Sequence, residues 1–133
     1  MGEKGNSTAS HVLVVDDESF VTEATCRLLR QVGYQTSTAA RAAEAIDYVR
    51  EHAGQVDCVL LDVNMPGMSA TEALDALKDV DAELPVIICS GRDADSINRQ
   101  LAPRTPAGVL TKPYTTRELC AQIDRVSRRP SAK

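Results

Sequence analysis

Five polar residues stand where hydrophobic runs end. Asp16 and Asp17 directly follow His11–Val15, Asp62 directly follows Asp57–Leu61, Ser90 closes Pro85–Ser90 and Lys112 ends the run that begins at Ala107. Three carboxylates brought together repel one another and raise each other's pKa unless a cation joins them. A hard divalent cation with oxygen ligands is the natural remedy, and Mg2+ suits a site of one or two carboxylates plus waters. Lys112 adds a fixed positive charge and Ser90 a hydroxyl donor. Such a set makes a cradle for a phosphoryl group, in which one carboxylate could attack as nucleophile and become an acyl phosphate. Positioning and charge neutralisation are most of what phosphoryl transfer asks of a protein. Each residue alone has a plainer reading: Asp16-Asp17 as a helix cap, Ser90-Gly91 as a turn, Lys112-Pro113 as a surface turn. Their shared placement at strand ends makes those readings weak jointly.

The elements that would position them alternate along the chain. His11–Val15 is a short, β-branched, apolar run, the pattern of a strand buried on both faces. Phe20, Ala24, Leu28 and Val32 recur at helical spacing before a stop at Gly33. A weaker strand follows over Tyr34–Thr38. Ala42, Ile46, Val49 and Ala53 form the next helical stripe, ending at Gly54. Asp57–Leu61 and Pro85–Ser90 are buried-type strands, and Ala107–Thr111 is the last one. Between them, Ser69 with Glu72 makes a capping box ahead of Ala73, Leu74, Leu77 and Val80, and Asp93–Leu101 is a weakly periodic helix. Thr115 with Glu118 makes a second capping box, ahead of Leu119, Ile123 and Val126. Five strand–helix units with strands apolar throughout imply an α/β fold with a parallel sheet covered on both faces. Ligands of such sheets bind outside the carboxyl ends of the strands.

A length of 133 residues suits one domain. The net charge of −4 argues against nucleic-acid and membrane-surface binding, which leave a basic footprint. Aromatics make up only 3% of the chain, too few for a surface of stacked bases. Cys26, Cys58, Cys89 and Cys120 lie about thirty residues apart with no metal-type spacing, which fits reduced thiols and a cytoplasmic protein. No apolar run is long enough to cross a bilayer, and the N-terminus lacks an apolar signal core. Residues 1–10 are expected to be a flexible leader, 11–128 the folded domain and 129–133 a flexible tail.

Val12-Leu13-Val14-Val15-Asp16-Asp17-Glu18, Leu60-Leu61-Asp62-Val63-Asn64-Met65-Pro66-Gly67-Met68, Ile88-Cys89-Ser90-Gly91 and Leu110-Thr111-Lys112-Pro113-Tyr114 match, in order and spacing, the signature segments of another group of proteins. The chain resembles the receiver domains of two-component response regulators over roughly His11 to Ser127. That resemblance implies a flavodoxin-like (βα)5 three-layer sandwich with strand order 2-1-3-4-5. It implies that Asp62 takes a phosphoryl group from the phosphohistidine of a histidine kinase or histidine phosphotransfer protein. Asp17, Asp62 and the Asn64 backbone carbonyl would hold Mg2+ (with Mn2+ an alternative), and Asp16 would act through a metal-bound water. Lys112 would pair with the phosphoryl group, Ser90 would hydrogen-bond it as the switch residue, and Lys112-Pro113 would be cis.

Further expectations follow from the resemblance. Asn64 and Arg92 would flank the path of attacking water, and Gly91 would leave the site open. The family's usual aromatic residue three positions before the lysine is replaced by Val109, which cannot swing a ring. The signal should then travel by backbone movement after Ser90, toward an output partner on the last two helices and last strand. Tyr114, beyond the lysine, is expected to serve docking or packing. The stretch from Pro85 to Tyr114 looks most like receivers of hybrid histidine kinases. Two other classes are a haloacid-dehalogenase-like phosphatase, which would want an acid where Asn64 stands, and an interaction-only receiver, which would have lost acidic or lysine positions.

Overall fold

Val12, Leu13, Val14 and Val15 are withdrawn from solvent on both faces of the first strand, so a layer of helices must cover each side. The computed structural model describes residues 10–129 and shows that arrangement. The expected leader and tail lie outside the described residues except for Ser10 and Arg129. The elements, in order, are β1 (His11–Val15), α1 (Ser19–Gln31), β2 (Gln35–Ala39), α2 (Ala42–Glu51), β3 (Cys58–Asp62), α3 (Ala70–Val80), β4 (Val86–Ser90), α4 (Ala94–Leu101), β5 (Gly108–Thr111) and α5 (Thr116–Val126). All strand pairings are parallel and the order is β2-β1-β3-β4-β5, as expected.

Alternation along the strands sorts the core into two layers. Leu13, Val15, Val59, Leu61, Val86 and Ile88 face α2, α3 and α4. Val12, Val14, Leu60, Ile87 and Leu110 face the other way, against Cys26 and Leu29 of α1 and Leu119 and Ile123 of α5. Full burial of one such Leu or Ile side chain stabilises the fold by about 1.5–3 kcal/mol. The edge strands differ. β2 and β5 are each only partly buried, because each has only one neighbouring strand. β2 also begins one residue later than the expected Tyr34, whose side chain is instead buried against α5 with its hydroxyl hydrogen-bonded to Asp124.

The helix ends follow the capping chemistry. Ser69 and Thr115 each form both halves of a capping box, and the Asp93 carboxylate caps α4 by accepting from the Ser96 N–H at 2.7 Å. That cap, with Ile97 and Leu101 fully buried, fixes the least periodic of the expected helices. Gly33 has φ of 98°, the left-handed turn that ends α1.

Phe20, Ala24, Leu28 and Val32, which recur at helical spacing, belong to α1 and its C-cap and lie on the solvent face. Phe20 is 87% exposed, Leu28 40% and Val32 37%, while Thr22, Cys26 and Leu29 point inward. Thr22 can be buried because its hydroxyl donates to the carbonyls of Asp16 and Glu18. One expectation is overturned: Ala53, expected on the apolar stripe of the second helix, lies beyond the end of α2 and is exposed.

Candidate functional site

Register places the site. Val15 pairs with Leu61, so Asp16 and Asp62 emerge beside each other. Asp62 pairs with Cys89 and Ser90 pairs with Thr111, which brings Ser90 and Lys112 to the same edge. Three backbone hydrogen bonds carry the ladder past the pairing: Asp16 N–H to the Ala39 carbonyl (3.1 Å), Val63 N–H to Cys89 (3.1 Å) and Lys112 N–H to Ser90 (2.7 Å). The side chains therefore start from rigid backbone rather than from loops.

Asp16, Asp17 and Asp62 each offer a carboxylate oxygen within 4.8 Å of the others. Asp16 and Asp62 are buried and Asp17 is exposed. Lys112 Nζ lies 3.0 Å from Asp62 Oδ1, and the Asn64 N–H donates to the same oxygen at 3.3 Å. Among the described residues no hydrogen bond reaches Asp62 Oδ2. Burial pushes the Asp16 carboxyl above the usual range, and the charge of Asp62 adds to this against the opposing Glu18 N–H and Lys112. Burial pulls the Lys112 ammonium down, but its hydrogen bond to Asp62 and the nearby acids outweigh that and leave it raised. Three convergent hard oxygen donors, one of them open to solvent, fit a small divalent cation.

The remaining sequence-predicted residues surround this cluster. Ser90 is 1% exposed, and its Oγ accepts the Arg92 N–H at 3.0 Å. A Cβ added at Gly91 would meet no atom within 4 Å, so this side of the site is open space. Asn64 is exposed, and the Arg92 side chain is turned to Gln100 on α4. Val109 is half-buried and packs against the layer of α2, α3 and α4. Tyr114 packs into the opposite layer. The Lys112-Pro113 bond is cis, as is Ala102-Pro103. A depression of about 530 Å³ adjoins Asp17, lined by Ala40, Arg41, Pro66, Gly67 and Met68.

A model of the response regulator receiver domain matches residues 12–124. The chain belongs to this family. It is 35% identical over 125 residues to the transcriptional regulatory protein PrrA of Mycobacterium tuberculosis, covering 92% of this chain and 52% of PrrA. It is 32% identical over 117 residues to the sensor kinase CckA of Brucella abortus, covering 88% of this chain and 12% of CckA. A receiver domain structure from Clostridium thermocellum superimposes with a TM-score of 0.80 at 27% identity, covering 88% of this chain and 93% of that one. The receiver thus spans about half the length of PrrA and a small part of CckA. Receiver domains are phosphoacceptor signalling domains rather than classical enzymes. They bind Mg2+ at an acidic pocket and partner with histidine kinases or phosphotransfer proteins. No helix among the described residues is long and apolar enough to cross a membrane.

Sequence reasoning missed a second polar cluster, at the opposite end of the sheet. Asp57 is 2% exposed, accepts the His11 N–H at 2.9 Å and faces Arg129 at 3.6 Å. His11 Nε2 and the Tyr48 hydroxyl each lie 2.7 Å from Ser37 Oγ, and His52 stacks on Tyr48. The one available signal was an acid placed directly ahead of a buried strand.

Proposed function

We propose that this receiver accepts a phosphoryl group on Asp62 from the phosphohistidine of a histidine kinase or phosphotransfer protein, in a Mg2+-dependent reaction in the cytoplasm. The observation that carries this reading is the asymmetry of the Asp62 carboxylate. Oδ1 is engaged by Lys112 and Asn64, which leaves Oδ2 as the oxygen with a free lone pair. Oδ2 attacks phosphorus, the P–O bond forms as the P–N bond breaks, and the electron pair leaves on the donor imidazole, which takes up a proton.

Asp17, Asp62 and the Asn64 carbonyl would hold the cation, with Asp16 contributing through water. Bound there, it would neutralise the carboxylates and the incoming phosphoryl oxygens. Lys112 stays with the acidic cluster and pairs with a phosphoryl oxygen. The Ser90 hydroxyl donates to another, at the expense of its place under the Arg92 N–H. Two conformers of the β4–α4 segment, biased by that exchange, give the signal. With Val109 in place of an aromatic ring, backbone movement from Ser90 into α4 is the route to an output surface on α4, β5 and α5.

The donor needs a place to dock beside Asp62. The outward face of α1 supplies one: Phe20, Val21, Leu28 and Val32 are all exposed, and the helix starts two residues after Asp17. Exposed apolar side chains in such a row mark a contact surface. We take the folded unit as residues 11–128.

Incubation with phosphoramidate and Mg2+, followed by intact mass, tests the reading. One phosphoryl mass should appear in the wild type, fail to appear with chelator, and be absent from Asp62→Asn. A wild-type protein that gains no mass overturns it.

A further inference from the structure

The chain leaving α5 is held against the base of the sheet, at the opposite end of the strands from Asp62. Ser127, the C-cap of α5, hydrogen-bonds through its hydroxyl to that of Ser10, just ahead of β1. Arg128 donates to the Val56 carbonyl and grips the Asp81 carboxylate, at the end of α3, with both terminal nitrogens, at 3.2 Å and 2.9 Å. Arg129 reaches Asp57 Oδ1 through Nε at 3.6 Å. These holds are unequal. The two-pronged Arg128 pair is a strong, oriented contact. The Arg129 contact is long and single, and its side chain is 43% exposed, so it is the part that can let go.

Its partner Asp57 is almost fully buried, so salt and water screen it little. Asp57 Oδ2 accepts the His11 N–H at 2.9 Å, and the Asp57 N–H donates to the His11 carbonyl at 2.9 Å. The His11 ring is thereby fixed near the carboxylate that Arg129 uses. Around that ring stand Ser37 of β2, with Oγ 2.7 Å from Nε2, Tyr48 and His52 of α2, the Gln55 backbone, Asp57 and Arg129. Burial disfavours a charge on the ring, Asp57 favours one and Arg129 disfavours it. Coupling between two sites is reciprocal, so a charge on His11 must in turn disfavour Arg129 in its place.

We propose that Asp57, His11 and Arg129 form an acid-released latch, in which a proton on His11 displaces Arg129 from Asp57 and loosens the chain leaving α5 while Arg128 stays on Asp81. The ring cannot retreat, because the His11 backbone is bonded to Asp57 on both sides. A protonated Nε2 donates to Ser37 Oγ, whose own O–H can turn to the Tyr48 oxygen at 2.7 Å. Two cations then face one carboxylate, and the exposed one moves into water at little cost. The latch needs no phosphoryl group, so acidity acts on the chain leaving α5 separately from the chemistry at Asp62.

Isotope-labelled protein titrated from about pH 7 to about pH 5, the range in which histidine changes charge, tests this by NMR. The His11 ring signals report its protonation, and relaxation of the Arg129 Nε–H reports its mobility. Arg129 should loosen through the same midpoint at which His11 gains its proton. Its docked-to-released ratio should fall about two- to five-fold, the scale of one exposed ion pair. The Arg128 guanidinium should not respond. In His11→Gln, Arg129 should stay docked throughout, and in His52→Gln the wild-type response should persist. In Arg129→Gln, His11 should take up its proton at a higher pH than in wild type. That last variant, at a partly exposed residue, decides the matter even where His11→Gln folds poorly. An Arg129 whose mobility ignores pH, a release that survives His11→Gln or vanishes in His52→Gln, or a His11 midpoint that does not rise in Arg129→Gln overturns the proposal.

Discussion

Lys112 Nζ and Asp62 Oδ1 lie 3.0 Å apart although fifty residues separate them in the chain. Neither side chain has a strong local reason to be there: one follows an edge strand and the other ends a buried one. The contact exists because parallel pairing through β4 delivers both strand ends to one edge. It converts a repulsive group of three acids into a site with one cation in place and room for a second.

Mg2+ should stabilise the fold. At a concentration ten-fold above its Kd a ligand adds about 1.4 kcal/mol, which for a domain of this size is a rise in Tm of about 5 °C. Asp17→Ala removes an exposed carboxylate without disturbing the core and should abolish that increment. Thermal melts with and without Mg2+ check it, and an unchanged increment contradicts the assignment of Asp17.

The two faces of α1 should respond oppositely to substitution. Leu29→Ala opens a cavity under a fully buried side chain and should cost about 2–5 kcal/mol in denaturant unfolding. Phe20→Ser, at a residue 87% exposed, should stay within about 0.5 kcal/mol of wild type. The same Phe20→Ser should slow phosphorylation by a cognate histidine kinase while leaving phosphorylation by phosphoramidate unchanged. Equal effects on both donors would remove α1 as the docking face.

That contrast also shows how far the sequence could be read. β1, β3 and β4 are legible because every residue from Val12 to Val15, or from Val86 to Cys89, is apolar, and only a two-sided burial explains that. Their strand ends then converge by the geometry of parallel sheets, so the acidic cluster, Ser90 and Lys112 were legible too. The inner face of α1 was not. Phe20, Ala24, Leu28 and Val32 show the helix by their spacing, but the face turned inward includes a threonine whose hydroxyl is satisfied only once the β1–α1 turn has formed. The pairing of Arg92 with Gln100, and of Asp57 with the His11 N–H, depends on where side chains and chain ends meet across elements, which spacing does not encode.

The base of the sheet should confer a pH dependence. Burial lowers the pKa of His11 below 6.5, with the His52 and Arg129 charges acting in the same direction, against the opposing Asp57 and the Gln55 backbone. The unfolded state then binds the proton more readily than the folded one. This contribution to stability is complete above pH 6.5 and is lost as pH falls through the lower, folded value. Tm should therefore drop more steeply between pH 7 and pH 5 in wild type than in His11→Gln. Parallel curves would show that His11 does not titrate differently on folding.

The buried thiols should be slow to react. Burial pushes both Cys58 and Cys89 up to about 12, so little thiolate exists near neutrality. Alkylation of the native protein should begin at the half-buried Cys120, followed by peptide mass analysis, and reach Cys58 and Cys89 only on denaturation. Early modification of Cys89 would mean that the β4 end of the site opens more readily than its packing implies.

The most direct test of the account is the position of the phosphoryl group itself. Protein phosphorylated with phosphoramidate and Mg2+ is reduced with borohydride, which converts an acyl phosphate on aspartate into homoserine, then digested and sequenced by mass spectrometry. The account predicts homoserine at position 62 and at no other aspartate. Homoserine at position 16 or 17, or none in a protein that gained phosphoryl mass, would contradict it.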